Sequence, residues 1–195
     1  MNIIVATCKN RGIGLNGIIP WRLSEDMMFF KNKTIGNGNN SVIMGRKTYD
    51  SMERNLPKRT NYVISSTKSP NNIRLHTELY SELTEVNYDI MTKCEYDVNW
   101  VIGGEQIYNW YLKNNLIQDV YITNILNHYT CDTFFPQLPV NFKKIHSGNV
   151  VMSKENKLRF NIDVYRNSFY SSKNYNTIRY DFLKELDKVT TYGVI

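Results

Sequence analysis

Short apolar runs rich in β-branched residues recur at Ile3–Thr7, Ser41–Met44, Asn61–Ser65, Trp100–Ile102 and Val120–Ile125. Between them, apolar positions return at helical spacing, which predicts helices over Ser24–Lys33, just after Gly45, over Ser81–Lys93 and over Glu105–Asn114. Near-continuous apolar strands alternating with helices are what a sheet buried on both faces requires, and such connections give parallel pairing. Two later segments, Phe142–His146 and Leu158–Tyr165, read as long strands joined through the polar stretch Ser153–Lys157, an antiparallel finish. The predicted fold is a single α/β domain over 1–166. From Asn167 the composition turns to Ser, Asn, Tyr and Lys, then regains apolar spacing at Tyr180, Phe182, Leu183 and Leu186, so 167–195 reads as a linker and a helix.

The 195 residues suffice for one filled core and not for two full-sized domains. With 42% hydrophobic and 22% charged residues, the chain is an ordinary globular one. No stretch reaches the roughly 18 apolar residues of a membrane span, and the start lacks a basic region followed by a long apolar one, so the expectation is a soluble, cytoplasmic protein. Cys8, Cys94 and Cys131 are odd in number, far apart and without CxxC spacing, which argues against a disulfide framework and a metal site. The net charge of +6 favours an anionic partner, either a nucleic acid or a phosphorylated small molecule. The basic residues are scattered among acidic ones and no nucleic-acid motif accompanies them, so no nucleic acid is expected.

Gly12-Ile13-Gly14-Leu15-Asn16-Gly17 matches GxGxxG after a strand, but the dinucleotide fingerprint needs a helix opening at the glycines. Here Pro20-Trp21 follows, and proline keeps the chain extended or looped until Ser24. The glycines therefore serve a loop. Ser24 is a plausible N-cap for the next helix. Asp26 shares a face of that helix with Phe29 and Phe30, so aromatic surface would desolvate its carboxyl and raise its pKa, as a proton donor or hydrogen-bond anchor requires. A solvated acid complementing the helix dipole fits the same position, and helix geometry alone leaves both readings open.

Set in order, the chain carries Ile4-Val5-Ala6, the glycine loop, Pro20-Trp21 with Asp26, Val42-Ile43-Met44-Gly45-Arg46-Lys47-Thr48, Leu56-Pro57 with Arg59, Ile102-Gly103-Gly104 with Tyr108, Tyr121-Ile122-Thr123, and Asp132-Thr133-Phe134-Phe135-Pro136. This ordered set resembles the dihydrofolate reductase family from Ile4 to about Tyr165. The resemblance implies a mostly parallel twisted sheet of about eight strands with an antiparallel C-terminal strand and about four helices. It implies Asp26 as the acid of a pterin pocket, with Thr123 in its hydrogen-bond network and Trp21 holding an associated water. Ile4, Val5, Ala6, Ile102 and Tyr108 would line the pterin slot. Met27, Phe30 and Met52 would wall the aminobenzoyl group, although core packing is the commoner fate of such residues. Arg59 would pair with the substrate's α-carboxylate.

The resemblance places NADPH along Ala6, Ile13, Gly14 and Gly17, at Gly45-Arg46-Lys47-Thr48, at Ser65-Ser66 with Lys68, and at Gly103-Gly104-Glu105-Gln106-Ile107. Both glycine turns stand where a strand becomes a helix, and helix N-termini attract phosphate. The family has a cis peptide between the paired glycines. Hydride transfer from the nicotinamide to C6 of 7,8-dihydrofolate is implied, with the proton at N5 arriving through water admitted or excluded by the Asn10–Ile19 loop. Monomeric action is expected. Glu105 departs from the small residue common there, Lys58 lies between Pro57 and Arg59, and Gly36–Asn40 is rich in Gly and Asn. The stretch 178–186 faintly resembles the opening helix of a thymidylate synthase, so fusion or docking to that enzyme is a further expectation. The rivals are a riboflavin-pathway pyrimidine reductase, against which Asp26 and Arg59 speak, and a non-catalytic basic module.

Overall fold

Alternation along the strands sorts side chains to two faces, and both faces are covered. The computed structural model describes residues 1–52, 55–66, 77–93 and 97–170. The strands are β1 (Asn2–Cys8), β2 (Gly12–Gly14), β3 (Asn40–Gly45), β4 (Arg59–Ile64), β5 (Thr77–Tyr80), β6 (Asn99–Gly103), β7 (Asp119–Ile125), β8 (Thr133–Phe134), β9 (Phe142–Ser147), β10 (Val151–Met152) and β11 (Arg159–Asn167). The helices are α1 (Ser24–Ile35), α2 (Arg46–Asp50), α3 (Leu83–Lys93) and α4 (Glu105–Lys113). On one face, Ile3, Ile43, Tyr62, Val101, Val120 and Ile122 pack with Val86 and Ile90 of α3 and Ile107, Tyr108, Tyr111 and Leu112 of α4. On the other, Ile4, Val42, Met44, Val63 and Trp100 pack with Tyr49 of α2 and Phe29 and Phe30 of α1. Period-2 strands between two helix layers account for the apolar runs in the sequence.

The main sheet has nine strands in the order β10-β11-β7-β1-β6-β3-β4-β5, with β9 also on β11. Pairs among β7, β1, β6, β3, β4 and β5 are parallel, and β11 runs antiparallel to β7. The predicted architecture holds. Three details differ. Gly12–Gly14 is a short strand that pairs antiparallel with Thr133–Phe134 in a separate ribbon, so the glycine stretch is a loop only from Leu15 onward. The strand Thr77–Tyr80 was not predicted; its four residues, TELY, lack an apolar run. Ser24 is the first helical residue and not the cap. The cap position belongs to buried Leu23, and the Ser24 hydroxyl donates to Glu25 Oε2 at 3.2 Å, which leaves the helix without a side-chain cap. The expected tail helix in 171–195, Cys94 and Lys68 lie outside the described residues. No described helix is long and apolar enough to cross a membrane.

Candidate active site

A gap in the sheet forms the centre of the site. β1 pairs with β7 along all seven of its residues but with β6 only at Asn2↔Trp100 and Ile3↔Val101. Beyond Ile3 the two neighbouring parallel strands part at their carboxyl ends. There the connections also reverse direction, since β3 to β5 lie beyond β6 while β7 and β11 lie on the other side of β1. Open α/β sheets bind ligands at such a switch point. The Tyr108 hydroxyl, carried on α4, reaches across the gap and donates to the Ile4 carbonyl at 3.1 Å.

Asp26 sits in the first turns of α1, on the opposite face of the sheet from α4, and its half-buried carboxyl is held above its ordinary value by burial. Its charge in turn pushes the Tyr108 hydroxyl up, after the larger effect of that hydroxyl's own burial. Thr123, 1% exposed, lies near enough to pull the Asp26 carboxyl back down. Yet Thr123 Oγ1 has no partner with full hydrogen-bond geometry. A buried hydroxyl next to a partly desolvated carboxyl makes a polar pair in an otherwise apolar gap. Trp21 closes this end, packed with Ala6 and Leu23 and tilted against Tyr129 at 5.3 Å.

Toward the outer mouth stand Met27, 61% exposed, and Phe30 and Met52, both partly buried against the α1-side core. Arg59 lies beyond Phe30, its guanidinium 5.9 Å from the ring centre. It is 7% exposed and donates through Nε to the Pro57 carbonyl at 3.0 Å and through Nη1 to Thr34 Oγ1 at 2.6 Å. No carboxylate faces it among the described residues, and burial lowers its pKa to about 10. A buried cation lacking an anion is costly, so Arg59 is a charge with capacity for an anion. Thr34 was not foreseen. It is fully buried and donates to the Phe30 carbonyl at 2.7 Å, so it holds Arg59 in place; a threonine spaced four from an aromatic gave no distinctive signal.

The second half of the site lies where β3 and β6 end side by side. Gly45 caps α2 and Gly104 caps α4, both without a side-chain cap bond, so backbone N–H groups at both helix starts stay open. The Gly103–Gly104 peptide is cis. A Cβ at Gly103 would stand 3.1 Å from the Tyr108 ring, and one at Gly45 3.2 Å from Ile107, so the glycines keep this corner narrow and free of side chains. Thr48 faces Gly104, its Oγ1 3.4 Å from where a Cβ would stand. Arg46 is exposed and pairs with Asp50 at 3.4 Å. Lys47, Ser66 and Gln106 are exposed, whereas Ser65 and Ile107 are buried.

The β2–β8 ribbon overhangs this corner. Ile13 packs partly into the core, Gly14 is buried and Gly17 lies exposed at φ 78°. Asp132 Oδ2 accepts from the Asn16 N–H at 2.8 Å. Glu105 accepts from the Phe134 N–H through Oε2 at 2.9 Å and so ties the ribbon to the start of α4. A groove of about 640 Å³ also opens beside α1 at Met28, Phe29 and Asn32, but none of the predicted site residues lines it.

The dihydrofolate reductase family profile matches residues 1–167. The chain belongs to that family. It is 31% identical over 169 residues to a dihydrofolate reductase of Drosophila melanogaster, covering 82% of this chain and 93% of that one. To the dihydrofolate reductase of Gallus gallus it is 29% identical, over 86% of this chain and 96% of that one. A bifunctional dihydrofolate reductase–thymidylate synthase of Daucus carota is 36% identical over 84% of this chain, which corresponds to 33% of the carrot protein. The gap between β1 and β6 and the glycine corner both lie at the carboxyl ends of the parallel strands. The corner fits a nucleotide cofactor, because phosphate meets open N–H groups there and no Cβ obstructs its approach.

Proposed function

We propose that this chain catalyses the NADPH-dependent reduction of 7,8-dihydrofolate to 5,6,7,8-tetrahydrofolate, in support of one-carbon metabolism and thymidylate synthesis. The observation that carries the reading is the raised Asp26 carboxyl with the buried Thr123 hydroxyl beside it at the gap between β1 and β6. A flat heterocycle with an amide-like edge and an amino group complements that pair. Asp26 accepts from both groups, and Thr123 completes the network with a water held by Trp21. Ile4, Val5, Ala6 and Ile102 flank the ring, and Tyr108 fixes the Ile4 carbonyl at its edge. Met27, Phe30 and Met52 enclose the aminobenzoyl group, and Arg59 supplies the cation for the α-carboxylate.

NADPH supplies a hydride when bound. Gly45, Gly103 and Gly104 would let its phosphates approach the backbone N–H groups at the starts of α2 and α4, and Arg46, Lys47, Thr48, Ser65, Ser66, Glu105, Gln106 and Ile107 would surround the remainder. The preference for NADPH rests on the cations after β3, which match an extra phosphate. Ala6, Ile13, Gly14 and Gly17 bound the nicotinamide end. Asp26 lies on the far side of the pterin from N5, so the proton reaches N5 from water. The protein's share of the catalysis is to hold two rings in contact and to keep bulk solvent out.

The test follows absorbance at 340 nm. Purified chain oxidises NADPH only when dihydrofolate is added, and an antifolate such as methotrexate stops it. Oxidation that ignores dihydrofolate overturns the proposal.

A further inference from the structure

Cys8 and Cys131, 123 positions apart in sequence, stand with their sulfurs 3.9 Å from each other. Both are free thiols, Cys8 buried at the end of β1 and Cys131 half-buried in the segment entering β8. They meet beneath Gly12. A Cβ there would fall 2.3 Å from Cys131 Sγ and 3.0 Å from Cys8 Sγ, so the missing side chain is what lets both sulfurs occupy one crevice. The Cys8 thiol donates to Asn10 Oδ1 at 2.7 Å, while the backbone on either side is paired through Arg11 N–H to the Cys8 carbonyl and Asp132 N–H to the Gly14 carbonyl. The two thiols thus sit at the root of the β2–β8 ribbon, where the glycine loop leaves β1.

Two buried thiols in contact can be plain packing, since cysteine behaves as a small apolar residue. This pair has two further properties. Cys131 is only half-buried, and closing from 3.9 Å to a disulfide bond length of about 2.05 Å calls for a change of rotamer. We propose that Cys8 and Cys131 form a dithiol site oxidised by small disulfides, and that the bond between them slows turnover by fixing the ribbon to the end of β1.

The chemistry is ordinary thiol–disulfide exchange. The Cys131 thiolate attacks oxidised glutathione, forming a mixed disulfide and expelling one glutathione thiolate. The Cys8 thiolate then attacks the Cys131 sulfur and expels the second. The protein loses two electrons, the glutathione disulfide gains them, and the two cysteine protons end on two glutathione thiols. Burial, followed by the neighbouring Cys8, pushes the Cys131 thiol up, which keeps its thiolate fraction low and makes the exchange slow at neutral pH.

The effect on turnover rests on the activity proposed above, whereas the bond does not. The full chain is treated with oxidised glutathione, mapped by mass spectrometry without reduction, and assayed for NADPH oxidation before and after dithiothreitol. The expected result is a linked Cys8–Cys131 peptide pair, turnover lowered about threefold or more, and recovery on reduction. Cys131→Ser, at a half-buried position outside the pocket, keeps its rate through the same treatment. The proposal is overturned by an absent linkage, by a linkage that leaves the rate unaltered, or by an equal loss in Cys131→Ser. A chain without dihydrofolate-dependent activity would sink the functional reading, while the peptide map still decides whether the dithiol closes.

Discussion

Asp26 shows how one side chain trades stability for chemistry. Burial raises its carboxyl above the ordinary 3.8, so the folded protein holds that proton more firmly than the unfolded chain. The stabilising contribution is fully present below the unfolded value and is lost as pH rises through the raised folded one, leaving a cost at neutral pH. Asp26→Asn removes that cost. Thermal melting at pH 7 should therefore show the variant at least as stable as wild type, with the advantage shrinking as pH falls toward 4, and a markedly less stable variant would mean that the carboxyl is not desolvated. Arg59 makes the same trade with the opposite charge. Among the described residues its guanidinium faces no carboxylate and is held by Thr34, the Pro57 carbonyl and the Phe30 ring. Arg59→Leu is expected to raise KM for dihydrofolate roughly 30-fold or more, the scale of a lost buried charge pair, with a smaller change in kcat. Steady-state kinetics showing an unchanged KM would place the substrate carboxylate elsewhere.

At the scale of elements, the strands that pack on both faces were legible because burial writes itself as unbroken apolar runs. The two-residue β8 and β10, the glycine-rich β2 and the four-residue β5 were not, because each is too short to write an apolar run and is placed by its partner strand. The N-cap of α1 was misread for a related reason. Leu23 anchors the chain in the core, and that tertiary contact fixes where the helix begins. The glycine corner was read from motif alone, and its geometry gives the reason for the residues. Gly103 lies at φ 116°, against the Tyr108 ring. Gly103→Ala should cost about 1 to 3 kcal/mol in urea unfolding, the range for a side chain forced into such backbone, and should weaken NADPH binding as well. An alanine variant as stable as wild type would mean that the corner can relax.

Across the whole molecule, the candidate site was named from an ordered set of motifs that resembles a family, and the apolar pattern located only those of its residues that lie on strands, such as Ile4, Ile102 and Thr123. What stayed hidden was contact between distant segments: Thr34 behind Arg59, Glu105 on the ribbon, and Cys8 against Cys131. Periodicity carries no record of such pairs. The site is assembled by topology, with α1 bringing an acid to one side of a gap that α4 bridges from the other. The account therefore depends most on the carboxyl at the gap. Its most direct test is dihydrofolate turnover at neutral pH by wild type and Asp26→Asn, with NADPH binding measured separately by fluorescence. A loss on the order of 10² to 10⁴ in turnover with NADPH affinity retained is the predicted result. Near-normal turnover in the variant would contradict it.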